Sequence, residues 1–144
     1  MLIDKQLVVS DAQAITADAY STNTIDLGSS NPERQIGDGE PMALVVCCDV
    51  ALAGTSPTLV VNLVESANAD LSSHAVILAS KSYSALAAGD RIVIPLPPGS
   101  PVERYVGAYY DVGGTSPTVT LTSFVQPLSM VEKRKDYASG FSVG

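Results

Sequence analysis

Hydrophobic and polar positions alternate along much of this chain, at the period of a β-strand. Thr118 to Val125 is the clearest case: Val119, Leu121 and Ser123 share one side, and Thr118, Thr120, Thr122 and Phe124 the other. β-branched and aromatic residues at a period of two mark a half-buried strand. Arg104 to Val112 precedes it and carries Tyr105, Tyr109 and Tyr110; Gly113-Gly114-Thr115-Ser116-Pro117 lies between. The spacing predicts a hairpin. The same unit stands earlier, in Met42 to Val64, where Gly54-Thr55-Ser56-Pro57-Thr58 repeats Gly114-Thr115-Ser116-Pro117-Thr118 letter for letter. Two related hairpins predict two halves of a sandwich.

Met42 to Val50 is almost continuously apolar, as a central strand covered on both faces would be. Further strands are expected at Ser21–Leu27, Thr58–Glu65, His74–Ser80 and Arg91–Leu96. The last is stopped by Pro97-Pro98-Gly99, since proline cannot donate to a ladder. Ser10-Asp11-Ala12-Gln13 has the form of a helix cap, but the segment after it reads better as extended chain. Gly28 to Pro41 is a polar loop. About eight short strands with frequent turn signals predict an all-β, single-domain β-sandwich of jelly-roll type. Residues 1–126 form its domain and 127–144 a C-terminal arm, with extended segments at both ends.

Composition narrows the function. The chain has 144 residues, enough for one cored domain. Hydrophobic residues make up 46% and charged residues only 16%, so much of the surface is uncharged. The net charge of −7 opposes direct contact with nucleic acid. No apolar run is long enough for a membrane helix. The start, Met1 to Lys5, does not resemble a signal peptide, which leaves synthesis and use without secretion as the expectation.

Candidate chemistry is thin. Cys47 and Cys48 are neighbours in a strand, so they face opposite ways and should not bond to each other. His74 is the one histidine, and a structural role is expected of it. Asp26, Asp38 and Glu40 are oxygen donors at a spacing that matches no calcium loop, and a tight turn is the expectation there. Asp49 and Asp111 occupy equivalent places in the two repeats, where an aspartate usually shapes its turn. No catalytic motif, cofactor site or metal site emerges, and no enzyme is expected. Tyr105, Tyr109, Val119 and Leu121 are expected in the core or at a subunit contact. The tail reverses the charge: residues 1–126 hold 13 acids and 5 bases, residues 127–144 hold 2 acids and 3 bases. Its basic patch Lys133, Arg134 and Lys135, its aromatics Tyr137 and Phe141, and Leu2 and Ile3 at the other end are the candidate interface residues.

Several segments together resemble the capsid cement, or decoration, proteins of tailed bacteriophages, of the Bordetella-phage type. They are Leu2-Ile3-Asp4-Lys5-Gln6-Leu7 with Ser10 to Ala14, Ile25-Asp26-Leu27-Gly28, Ile36-Gly37 with Gly39-Glu40-Pro41, and Gly113-Gly114-Thr115. The most specific is Ile94-Pro95-Leu96-Pro97-Pro98-Gly99 followed by Glu103-Arg104-Tyr105. The resemblance implies a sandwich protein on the outer surface of a phage head, made in the host cytoplasm. It implies a small homo-oligomer, dimer or trimer, that bridges major capsid proteins against the pressure of packed DNA. A virion-surface module that binds glycans or host receptors is the alternative. The absence of Trp and the 6% aromatic content weigh against it.

Overall fold

The computed structural model describes residues 3–29, 36, 39–99 and 103–131. Its strands, in chain order, are β1 (Val8–Ile15), β2 (Ala19–Tyr20), β3 (Ile25–Asp26), β4 (Met42–Ser66), β5 (Ala75–Ala79), β6 (Arg91–Pro95) and β7 (Tyr105–Pro127). A helical turn, α1 (Leu128–Val131), follows β7. The segment from Ser10 is extended, as expected. The expected strand at Ser21–Leu27 is reduced to the two-residue β3, and β2 lies just before it.

β4 and β7 organise everything else. They have 25 and 23 residues, where strands usually have five or six. They pair antiparallel from Met42↔Pro127 to Ser66↔Tyr105. The two expected hairpins are therefore not formed. At neither Gly-Thr-Ser-Pro-Thr segment does the chain pair with its own next stretch. The two copies instead pair with each other, about Thr55↔Thr115. Their backbones match: Gly54 and Gly114 have φ of 132° and 100°, and Ser56 and Ser116 have φ of 49° and 51°. A Cβ on Gly54 would lie 2.9 Å from the Ser116 carbonyl oxygen, and one on Gly114 would lie 2.5 Å from that of Ser56. Each glycine thus admits the other copy's Ser-Pro backbone. The repeat encodes a reciprocal crossing.

The ladder slips between Cys48 and Val50, and three more times before Thr58. Such bulges bend strands, and the bend is severe. Leu44 and Leu63 line one small cavity with Val106 and Val125. A straight strand would hold Leu44 and Leu63 about 60 Å apart. Both long strands fold over at the crossing, so each contributes to two layers. One layer runs β1, the C-terminal half of β7, the N-terminal half of β4, then β6. The other runs β2 and β3, the N-terminal half of β7, the C-terminal half of β4, then β5. The expected halves of a sandwich exist, but they are joined through the strands and not built from hairpins.

The core lies between the layers. Leu44, Val46, Cys48, Leu121 and Val125 enter from one side, and Leu59, Val61, Leu63, Val106 and Tyr110 from the other. Each buried aliphatic side chain contributes about 1.5–3 kcal/mol. Val119 and Leu121 are buried, as expected. Tyr105 and Tyr109 are only half-buried, and Tyr110 takes the core position. The reason is phase: β7 enters with Val106, Ala108 and Tyr110 inward, and the slips at the crossing move the inward set to Val119, Leu121 and Val125. The Tyr110 hydroxyl lies 2.7 Å from Ser10 Oγ and 2.6 Å from Ser123 Oγ, which satisfies it inside the core.

Both outer faces are partly covered. Val45 is fully buried with Phe124 and Val131, so α1 packs back on the first layer. Leu71, also fully buried, lies against Gly107 in the second, where a Cβ would come within 2.6 Å of it. Met42–Val50 is thus covered on both faces over Ala43–Val46, as its apolar run requires.

Candidate functional site

The side chains that could support chemistry are engaged in holding the fold. Asp26 binds Arg104 with both carboxylate oxygens, each contact 2.8 Å, and holds the guanidinium's pKa above its ordinary value. Glu40 accepts from Ser129 Oγ at 3.0 Å; Asp38 lies outside the described residues. His74 Nδ1 is 2.9 Å from the Tyr20 hydroxyl, and its ring packs 4.9 Å from that of Tyr109. Asp49 accepts from the Thr122 hydroxyl across the ladder, and Asp111 pairs through its backbone with Val60. These two aspartates belong to the sheet and not to turns. Cys47 and Cys48 form no disulfide with each other, and Cys48 faces the core while Cys47 lies on the other face. Burial, then the neighbouring Asp90 and Asp49, push the Cys48 thiol up, so it stays protonated and unreactive. Among the described residues, no three His, Cys, Asp or Glu side chains are placed to hold a metal ion.

The surface is more informative. A two-layer fold exposes strand edges, and an open edge is a template for another chain. β1 is bulged, with Ala12 at a φ of 45° and two register shifts. β2 and β3 have two residues each. β6 begins with Arg91, ends in Pro95, and is followed by Pro97 and Pro98. Each of these features blunts an edge. β5 has one register shift against β4, between Leu63 and Val64, but its open edge carries neither charge nor proline. It reads Ala-Val-Ile-Leu-Ala. It pairs with β4 on one side, and among the described residues no strand lies on the other. Val76 and Leu78 are 51% and 37% exposed.

β5 is the candidate interface, and sequence reasoning recognised it only as a strand. Its uncharged run was visible, but that it forms an edge depends on topology. Of the residues expected at an interface, Ile3 is exposed. Leu2, Lys133, Arg134, Lys135, Tyr137 and Phe141 lie outside the described residues.

These features define an all-β protein whose most distinctive surface is an open, apolar strand edge. A family model matches residues 9–125, from β1 almost to the end of β7. The chain belongs to that family, Bbp16, a family of Bordetella phage proteins. No curated protein sequence matches it.

Proposed function

We propose that this chain is a structural cement protein. It binds the outer surface of a phage head as a small homo-oligomer and bridges neighbouring major capsid proteins. The observation that carries this reading is the β5 edge, which has neither charge nor proline and exposes Val76 and Leu78. Membership of a Bordetella phage family supplies the setting. The two layers support a jelly-roll reading, and a jelly roll suits a rigid clamp. The net charge of −7 disfavours the packaged DNA and favours the outside of the shell. A stable interface buries about 1,200–2,000 Å². A five-residue edge supplies less, so flanking surfaces take part.

Heads assembled without the protein should rupture at a lower temperature than decorated heads, and adding the purified chain should restore the difference. Equal heat resistance of bare and decorated heads contradicts the proposal.

A further inference from the structure

The connection between β5 and β6 walls an open cleft lined by Lys81, Tyr83, Leu86, Gly89, Asp90 and Arg91. The connection is tied to β4. Tyr83 and Leu59 exchange backbone hydrogen bonds at 2.9 Å, and Leu52 donates to the Leu86 carbonyl at 2.9 Å. The cleft is therefore held in shape before anything binds.

Its charge is unusual for this acidic chain. The described residues include four bases, Lys5, Lys81, Arg91 and Arg104, and two of them meet here. Arg104 is taken by Asp26, and that is the one ion pair among the described residues. Lys81 Nζ stands 5.0 Å from the centre of the Tyr83 ring, and among the described residues no carboxylate forms an ion pair with it. Arg91 Nη1 is buried without a hydrogen-bond partner, and a buried charged donor without an acceptor is costly. Asp90, the acid in the cleft, has its Oδ2 engaged by the Ala87 N–H at 2.8 Å.

We infer that this cleft is a recognition site for a single carboxylate, an Asp or Glu side chain carried by a docking polypeptide. Two cations against Asp90 leave one unit of positive charge, which one carboxylate neutralises and a phosphate dianion exceeds. A guanidinium presents paired donors that match a carboxylate's two oxygens. The cleft opens at Lys81, two residues beyond the end of β5. A segment lying along β5 delivers a side chain directly into it. The inference rests on the cement reading for the identity of the carrier, but not for the site itself.

The test uses the full-length free protein, labelled with ¹⁵N, and propionate as a stand-in for a glutamate side chain. The amide signals of Lys81, Gly89 and Arg91 should shift and saturate by roughly 100 mM. Propionamide should leave them unmoved, and inorganic phosphate should bind more weakly. Lys81→Ala and Arg91→Gln should each weaken propionate by about fivefold or more. Lys81 is exposed, so its variant should keep the native spectrum and separate lost binding from lost fold. Shifts that do not saturate, an equal response to propionamide, or tighter binding of phosphate would overturn the assignment. No capsid is present in this titration, so its failure is distinct from a failure to decorate heads.

Discussion

β5 and β6 are nearly equivalent by construction. Each has five residues, each is an outer strand, and each pairs with one half of the bent β4. Their exposed chemistry is opposite. β6 opens on Arg91, closes on Pro95 and runs into Leu96-Pro97-Pro98, so neither its side chains nor its continuation welcomes a further strand. β5 offers only aliphatic side chains, with Val76 half exposed. The scaffold therefore protects one edge and leaves its counterpart open. The inward sides face the same core: β6 buries Ile92 and Ile94 there, and β5 packs the partly buried Ile77 against it.

The severest way to break the comparison is to remove the frame that holds both edges. Gly114→Ala places a Cβ 2.5 Å from the Ser56 carbonyl oxygen on a backbone with a φ of 100°. Overpacking and strain together should cost about 3 kcal/mol or more, read in denaturant unfolding. Both edges should be lost at once.

A gentler change separates them. Val76→Lys with Leu78→Lys should abolish attachment to heads, a fall of about 100-fold in apparent affinity, while stability moves by roughly 0.5 kcal/mol per site or less. Parallel melting and binding curves on the same preparation check both parts.

Alkaline pH acts on the core between the edges. The Cys48 thiol and the Tyr110 hydroxyl both ionise less readily folded than unfolded, chiefly because of burial. Their contribution is complete below the ordinary values of 9.0 and 10.0 and is lost as the pH rises past them. Unfolding midpoints should fall from about pH 8 to about pH 11, and Cys48→Ala should flatten the early part of that decline.

The smallest effect is expected on β6. Val93→Lys alters a side chain that is 38% exposed on an edge already guarded. Stability should stay within about 0.5 kcal/mol, and attachment should change less than about threefold.

How far the sequence alone carried these features differs from one to the next. The all-β class and the buried run at Met42–Val50 follow from local pattern, because a strand covered on both faces must be apolar at every position. The repeated Gly-Thr-Ser-Pro-Thr was visible, and it reads as a turn because glycine and Ser-Pro favour the torsions of a turn. Those same torsions build the crossing at Thr55↔Thr115, and only the distant partner strand decides between them. The choice of Tyr110 over Tyr109 for the core has a similar origin. Alternation fixes which residues share a face but not which face is inside, and the slips at the crossing reset it. The open edge of β5 could not be read at all, because an edge is defined by an absent neighbour. The cleft at Lys81 and Arg91 was hidden for a related reason: ten residues separate two cations that the connection brings together.

The measurement closest to the central claim is re-decoration of bare heads. Purified wild-type chain, the Val76→Lys/Leu78→Lys variant and Val93→Lys would each be added to heads lacking the protein, and occupancy counted by cryo-electron microscopy. The β5 edge predicts full occupancy for wild type and Val93→Lys and empty sites for the double variant. Equal occupancy by a folded double variant would contradict it.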